Sequence, residues 1–459
     1  MKQNNVFDWF RALSRVPRVS GEEKAISDWM VRAAHELGLE VLQDSASNII
    51  IRKGEGTPVI LQGHLDMVGE KEADSPHDFH QDALDIIEED GWLKADKTTL
   101  GADNGMALAM MLTLLHDEDA GLPALELVMT TGEEVGLTGA HQLPEGKLKG
   151  NMLINLDAEE EGVFLTSCAG GETIHLRFTP KYERDAVPCT RITLGGLRGG
   201  HSGLEINSQR VNAIKALGEL LHESQARLCR FEAPGKFNAI CRQASAVIPT
   251  EDLDLLTRHA KDWLEKIRVL EKDARFSTEE AEASPPLTGE SARLWTALLH
   301  AWPDGVYTMS PDLEGLVESS SNLGLAEEEN GAWLLTASLR SSSPEKMAEL
   351  ENKLRALAKE AGGEIQISGA YPGWAFEKES PLRDTAAKVW QRLFGQPPRI
   401  TAIHAGLECG VIKSKYPNVQ MLSLGPTLLD VHTPRERVEK ASVERVYHFL
   451  RELLKELKG

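Results

Sequence analysis

Short apolar segments of strand type alternate with helix-type segments along the first third of the chain. The strand-type segments are 58–62, 125–130 and 152–156, and the most apolar helix-type segment is 102–116. Strands that are apolar on both faces are typical of parallel sheets covered by helices on both sides. The sequence therefore predicts an α/β fold with a mixed, mainly parallel sheet covered by helices. Ser20 and Glu23 predict a capping box at the start of an earlier helix.

The regular alternation of strand-type and helix-type segments stops near residue 184 and resumes near residue 378. A glycine-rich turn at 195–203 and helix-type segments at 255–270 and 344–361 lie between these points. A strand-type segment at 419–424 and a closing helix follow. We therefore predict a catalytic domain at 1–183 and 378–459, with an inserted α+β domain at 184–377 that acts as a lid.

Charge, apolar segments and cysteine content argue against several classes of protein. The formal net charge of -21 argues against nucleic-acid binding, which needs concentrated Lys and Arg. No apolar run approaches the length that spans a membrane, and charged residues interrupt the first 20 residues, as in Asp8 and Arg11, so a signal-peptide core is not expected. The five cysteines are scattered and contain no CxxC pair, which favours a reducing, cytoplasmic setting.

Five short polar segments stand beside a glycine, an asparagine or the end of an apolar segment. Together they contain two histidines and five carboxylates, and they lie at 62–66, 101–105, 132–134, 155–157 and 431–433. Imidazole and carboxylate together suit zinc and similar divalent ions. The set is too large for one tetrahedral site and suits two ions that share a carboxylate. Because sites in α/β sheets form beyond the carboxyl ends of strands, these segments are expected at one edge. The pattern predicts a metal-dependent hydrolase.

Each motif alone is weakly specific. His64 and Asp66 are two residues apart in an extended segment and point the same way, so the carboxylate can orient the imidazole. Glu133 and Glu134 point in different directions, so one can bind metal while the other reaches a water. Asp103 begins a helix, where a helix-capping role is the alternative.

The order of HLD, GADNG, GEEVGLTGA, NLDAEE and VHTP resembles the dinuclear zinc aminoacylase and dipeptidase family of metallopeptidases. The resemblance extends over nearly the whole chain and includes GGHSG at 199–203. The segments FNAI at 237–240 and HAGLECG at 404–410 are most similar to a bacterial branch of that family that cleaves Xaa-His dipeptides.

The resemblance implies a role for each matching residue. Asp103 is expected to bridge two zinc ions, although the ligand types also allow cobalt or manganese. The remaining metal ligands are expected to be His64 and Asp157 at one ion, and Glu134 and His432 at the other. Asp66 is expected to support His64, and Glu133 to act as the general base.

The inserted domain is expected to supply the substrate contacts. By the resemblance, His201 stabilises the oxyanion, in its own or in a partner subunit's site, and the protein is a homodimer that assembles through the inserted domain. Arg340, Asn238 and His404 are candidates to hold the terminal carboxylate of the substrate, because an arginine fork suits a carboxylate. A structural ion pair is the alternative for Arg340.

The resemblance implies hydrolysis of unblocked dipeptides, of Xaa-His type and more broadly. A deacylase of N-acyl amino acids or a tripeptidase of the same family is the alternative, and a non-catalytic peptide-binding relative is a more remote one. HExxH, GxSxG and Walker A motifs are missing from the sequence, which argues against zincins, serine hydrolases and P-loop enzymes.

Overall fold

The helices and strands lie close to the apolar segments of the sequence. The computed structural model describes residues 5–119 and 121–458, so the ends of the predicted catalytic segments at 1–4 and 459 lie outside the described residues. The helices are α1 (Val6–Leu13), α2 (Lys24–Glu36), α3 (Ala102–Leu115), α4 (Thr138–Gln142), α5 (Ala213–Ser224), α6 (Leu253–Arg268), α7 (Gly289–Ala301), α8 (Pro344–Glu360), α9 (Pro381–Phe394), α10 (Glu408–Lys415) and α11 (Lys440–Glu456).

The strands follow the same chain order. They are β1 (Glu40–Gln43), β2 (Ile49–Lys53), β3 (Val59–His64), β4 (Ile86–Glu89), β5 (Trp92–Ala95), β6 (Leu125–Thr130), β7 (Met152–Asn155), β8 (Val163–Cys168), β9 (Gly170–Phe178), β10 (Val187–Gly195), β11 (Gly200–His201), β12 (Arg230–Glu232), β13 (Ala239–Ile240), β14 (Ala244–Pro249), β15 (Arg275–Ser284), β16 (Gly305–Met309), β17 (Val317–Glu329), β18 (Ala332–Ser341), β19 (Glu364–Tyr371), β20 (Arg399–Ile403), β21 (Gln420–Ser423), β22 (Leu428–Leu429) and β23 (Arg437–Glu439).

The first of two units is built around a mixed sheet. It contains the chain up to Ser167, Trp374–Ala402 and the residues from Leu407 onward. Its described residues form an eight-stranded sheet in the order β1-β2-β6-β3-β7-β21-β8-β20. The central strands β6, β3, β7 and β21 are parallel, whereas β1, β2 and β8 add antiparallel pairings. The predicted α/β fold with a mixed, mainly parallel sheet is confirmed.

The complete burial of helix α3 explains why its sequence is apolar on all sides. It packs against α1 and β3 in the main core of the first unit, and Met106, Leu108 and Leu112 are buried there. A helix that is buried around its whole circumference needs no polar face. The chain therefore carries Asp103 into the interior at the first turn of this helix.

The second unit is an α+β structure of residues 168–373 and 403–406. Its described strands form a five-stranded sheet, β16-β17-β18-β9-β19, and a four-stranded sheet, β12-β14-β10-β15. Helices α5, α6, α7 and α8 contribute to its core. The bounds 184–377 of the inserted domain stay a prediction. The second unit begins at Cys168, because β9 pairs with β18 and β19.

Among the described residues, no helix combines the length and the apolar character needed to cross a bilayer.

Candidate active site

Three neighbouring parallel strands bring distant polar segments to one edge of the first unit's sheet. Strand β3 ends at His64, the Glu133–Glu134 pair follows β6, and Asp157 follows β7. The carboxyl ends of adjacent parallel strands lie side by side, which is where α/β sheets place their sites. Residues that are almost a hundred positions apart are therefore neighbours.

The predicted metal ligands form two groups that share Asp103. In one group, His64 Nε2 lies 3.1 Å from Asp103 Oδ1 and 3.4 Å from Asp157 Oδ1. In the other, His432 Nε2 lies 3.2 Å from Asp103 Oδ2 and 2.9 Å from Glu134 Oε1. Both are sets whose ligand atoms lie within 4.8 Å of one another. Each oxygen of Asp103 thus serves a different group, as a bridging carboxylate must.

The crowded carboxylates of this cluster would be stabilised by added positive charge. Hydrogen bonds with Asp103 and Glu134 raise the pKa of His432 to about 11. Burial raises the pKa of Asp157 to about 6, with added repulsion from Asp103 and Glu134. Such crowding of carboxylates around imidazoles is costly unless a cation compensates it. A mixed set of imidazole and carboxylate ligands fits divalent ions such as zinc, cobalt or manganese.

Asn104 connects the two strand ends that carry His64 and Asp157. Its side-chain nitrogen donates to Asp157 Oδ1 at 2.7 Å and to the Leu156 carbonyl at 2.8 Å, while its Oδ1 accepts from the His64 amide at 3.1 Å. A Cβ at Gly63 would collide with that Oδ1, so glycine before His64 permits the approach. The asparagine and the glycine beside the ligands therefore have a positioning function.

Asp66 lies between His64 and the two glutamates. His64 Nδ1 is 3.1 Å from the Asp66 carbonyl oxygen and 3.3 Å from Oδ1. The carboxylate also accepts from the amides of Glu133 at 3.0 Å and Glu134 at 3.2 Å. Burial would raise the pKa of Asp66, but hydrogen bonds from His64, Ser20 and the Glu133 amide lower it to about 2. Asp66 is therefore placed to orient the imidazole and to fix the turn that carries both glutamates.

The predicted capping box at Ser20 is wrong. Ser20 Oγ donates to Asp66 Oδ2 at 2.8 Å, and Glu23 Oε1 accepts from the Gly132 amide at 3.0 Å, whereas α2 begins without a side-chain cap. Both polar side chains are drawn to the Asp66–Gly132 region, where long-range partners replace the local cap. The segment thus supports the site instead of the helix start.

Glu133 is partly buried beside the ligand groups. One of its carboxylate oxygens lies within 4.8 Å of ligand atoms of His64 and Glu134. Burial raises the pKa of Glu133 well above its usual range. A raised pKa makes a carboxylate a stronger base, which suits a group that must accept a proton.

The residues predicted to bind substrate lie in the second unit, and three of them surround Gly203. A Cβ at Gly203 would lie 2.5 Å from the His404 carbonyl oxygen, 3.1 Å from His201 Cε1 and 3.2 Å from Arg340 Nε. Asn238 is joined to this region through its carbonyl, which accepts from the Ser202 amide at 2.9 Å. Glycine is therefore needed where these side chains converge.

Arg340 and His404 are two polar side chains of this cluster. Arg340 is buried and donates from Nη1 to the Tyr371 hydroxyl at 3.1 Å, while its Nε has no hydrogen-bond partner. His404 Nε2 lies 2.7 Å from Ser320 Oγ. Burial, with Arg340 nearby, lowers the pKa of His404 to about 3, so this imidazole is neutral.

The tautomer of His201 follows from its backbone contacts. Its Nδ1 accepts from the amides of Gly203 at 3.2 Å and Leu204 at 3.1 Å. Burial, with Arg340 nearby, also lowers the pKa of His201, which keeps the ring neutral. The proton is therefore on Nε2, and this nitrogen is a hydrogen-bond donor.

Glu408 is a buried carboxyl that sequence reasoning missed as a site residue. Its Oε2 accepts from Gln62 Nε2 at 2.5 Å and Thr130 Oγ1 at 2.6 Å, and Asn155 donates to Gln62 Oε1 at 2.7 Å. Its Oε1 is buried without a partner. This network crosses the ends of β3, β6 and β7 just before the ligand-bearing turns. The only local signal was its place in HAGLECG.

We expect the stability difference between the wild type and Glu408→Gln to depend on pH. Burial raises the pKa of Glu408 to about 7, above its ordinary 4.5. Between these values the folded chain keeps a proton that the unfolded chain releases, so wild-type stability falls as pH rises through this window. Glutamine removes that penalty, which amounts to roughly 3 kcal/mol. Urea unfolding of chelator-treated protein at pH 5 and pH 8 measures the difference.

The control for this prediction is Glu444→Gln, which changes an exposed carboxylate on α11. Its stability relative to the wild type should be the same at both pH values. An equal stability difference for Glu408→Gln at pH 5 and pH 8 would contradict the assignment of a raised pKa.

Two further residues near the ligands carried no local signal. Arg18 is fully buried and donates to the carbonyls of Leu65 and Asp66 at 3.0 and 3.1 Å. Glu436 is buried and accepts from backbone amides of the Asp103 segment. Because their partners are main-chain groups distant in sequence, side-chain patterns do not reveal them.

The family model for peptidase family M20/M25/M40 matches residues 60–456. The chain belongs to this family. It is 36% identical to the cytosol non-specific dipeptidase of Escherichia coli, over 98% of this chain and 97% of that protein. The resemblance to the aminoacylase and dipeptidase family is thus confirmed, and so is a peptide-bond hydrolase of the metallopeptidase type.

Solved structures of relatives support the same fold. The aminoacylhistidine dipeptidase of Vibrio alginolyticus matches with a TM-score of 0.91 and 34% identity, over 98% of this chain and 96% of that one. A tripeptidase from Staphylococcus aureus matches with a TM-score of 0.60 and 17% identity, over 100% and 99% of the two chains. At that identity, the second likeness shows the fold alone.

Proposed function

We propose that this M20 peptidase is a metal-dependent dipeptidase that hydrolyses unblocked dipeptides, including Xaa-His. The sharing of Asp103 by two ligand groups, with Glu133 beside them, is the observation that carries the metal-dependent hydrolysis. The restriction to dipeptides is supported by the two similar dipeptidases, which match almost the whole chain.

The proposed ligands divide between two ions. Asp103 would be shared by the two ions, His64 and Asp157 would complete one set of ligands, and Glu134 and His432 would complete the other. Two divalent ions in these places would lower the pKa of a bound water and polarise the scissile carbonyl. Zinc is the proposed metal, and the ligand types also suit cobalt and manganese.

Glu133 is the proposed general base. It takes the proton from the attacking water and delivers it to the nitrogen of the leaving amine, so the carboxylate is regenerated in each cycle. The contacts of Asp66 with the amides of Glu133 and Glu134 support this role, because they hold the turn in place. Asp66 itself is proposed to orient His64.

The second unit is proposed to bind the substrate ends. Arg340, with its unpartnered Nε, and the neighbouring His404 and Asn238 are the proposed partners of the terminal carboxylate. His201, whose Nε2 is a donor, is proposed to stabilise the oxyanion, since neutral donors aimed at developing charge are effective there. The family resemblance further supports a homodimer through this unit, and the name of the Escherichia coli relative supports a cytosolic setting.

We expect the enzyme to prefer free dipeptides over all blocked or longer substrates. Against Ala-His and Gly-His, the values of kcat/KM should exceed those for N-acetyl-alanine, Ala-Ala-His and Ala-His amide by about 100-fold or more, because buried donors and acceptors reject substrates that leave them unpaired. Amine release with the zinc- or cobalt-loaded protein measures these rates.

The same panel separates the alternatives. Faster turnover of N-acetyl-alanine would indicate a deacylase, and faster turnover of Ala-Ala-His would indicate a tripeptidase. Equal rates for Ala-His and its amide would contradict the carboxylate site at Arg340. Metal binding without hydrolysis of any substrate would favour a non-catalytic relative.

A further inference from the structure

Glu436 makes an unusual set of contacts with the segment that carries Asp103. The side chain is 2% exposed, and its two oxygens accept from four consecutive backbone amides. Oε2 accepts from Leu100 at 2.8 Å and Gly101 at 3.0 Å, whereas Oε1 accepts from Ala102 at 2.8 Å and Asp103 at 3.3 Å. A carboxylate bound to so many amides fixes the path of the chain immediately before α3.

Arg18 holds the same segment from another direction. Its guanidinium donates from Nη2 to the Gly101 carbonyl and from Nη1 to the carbonyls of Leu65 and Asp66. Gly101 has φ 66°, and a Cβ there would lie 2.7 Å from Arg18 Nη2 and from Met67 Sδ. Only glycine therefore fits between the guanidinium and the segment it holds.

Glu436 also lies close to His432 in the chain. Its amide donates to the Thr433 carbonyl at 3.0 Å, which closes a short turn that begins at the residue after His432. His432 has φ 60°, a left-handed conformation that is uncommon for residues other than glycine. His432 and Asp103 belong to one ligand group although they are 329 positions apart. The carboxylate of Glu436 thus joins the two segments that must meet at the metal.

We propose that Glu436 is a positioning residue of the metal centre that holds Asp103 in register with His432, so that each Asp103 oxygen serves its own ligand group. The inference rests on the proposed metal-dependent function. The proposal gives Glu436 a role in metal affinity. If the carboxylate only capped the start of helix α3, its loss would not change metal affinity.

Glu436→Gln tests the proposal. The amide nitrogen of glutamine cannot accept, so one pair of backbone amides loses its acceptor and faces a donor instead. We expect the dissociation constant for cobalt or zinc to rise by about 10- to 100-fold, as for other residues that support metal ligands. At a buffered free-metal concentration that just fills the wild type, the variant should bind fewer ions per chain. Equilibrium dialysis with elemental analysis measures both quantities without reference to activity.

Glu126→Gln is the matched control. Glu126 is also fully buried and accepts from two backbone amides, those of Lys149 at 2.8 Å and Gly150 at 3.1 Å. It lies near the start of β6, about 13 Å along the strand from the end that leads to Glu133. This variant should lower the melting temperature and leave the metal dissociation constant unchanged.

The metal dissociation constant distinguishes a positioning role of Glu436 from a purely structural one. A dissociation constant for Glu436→Gln within twofold of the wild type would overturn the positioning role, whatever the melting temperature. If Glu436→Gln does not fold, Glu436→Asp, which keeps the charge but retracts both oxygens, is judged by the same criterion. A wild type that binds no metal would instead refute the proposed function, so the two failures are distinguishable.

Discussion

We expect Glu133→Ala to lower kcat for a good dipeptide substrate by about 10³-fold, the usual contribution of a positioned general base. The water loses its proton acceptor, and the leaving amine loses its proton donor. The ligands His64, Asp103 and Glu134 are unchanged, so the metal content should equal that of the wild type. Steady-state kinetics and elemental analysis of the same preparation measure both.

Glu55→Ala is the control for this prediction, since it removes an exposed glutamate from the loop between β2 and β3 in the same unit. Its kcat should match the wild type. Activity close to that of the wild type in Glu133→Ala would refute the assignment of the base. Loss of metal together with activity would instead make Glu133 a ligand.

We expect Asp103→Ala to abolish binding at both ligand groups and to reduce hydrolysis to the background of the assay. Both oxygens of Asp103 are used, one toward His64 and one toward His432, so its loss weakens two sites at once. Elemental analysis after dialysis against buffered zinc should find less than one ion per chain.

Asp157→Ala provides the comparison, because Asp157 contacts the His64 group alone. This variant should keep the ion held by Glu134 and His432. Equal metal content in the two variants would contradict the sharing of Asp103 and would place the ions elsewhere among these carboxylates.

Most of the metal ligands proposed for the first unit have a local signal in the sequence. His64 ends an apolar strand-type segment, Asp103 opens an apolar helix, and Glu133–Glu134 follow a glycine. The parallel arrangement of β6, β3 and β7 then brings them to one edge. His432 has little local signal of its own and was assigned through the family resemblance.

Other parts of the site depend on contacts that no local pattern encodes. Glu408 binds Gln62 across 346 positions, and Glu436 binds amides more than 330 positions away. Ser20 has a convincing local interpretation as a helix cap, in which its hydroxyl would accept from a backbone amide, yet it donates to the distant carboxylate of Asp66. The edge of the second unit at Cys168 also follows from pairing of β9 with distant strands.

The position of β21 in the first unit's sheet has a consequence for biosynthesis. Strand β21 lies between β7 and β8, although more than 250 residues separate it from either in the sequence. A nascent chain that has already made His64, Asp103, Glu134 and Asp157 must therefore keep a gap in its central sheet until translation reaches β21. His432 and Glu436 emerge from the ribosome a few residues later. With the proposed ligands, both groups are complete only after translation has passed His432, and shorter translation products carry a partial set of ligands.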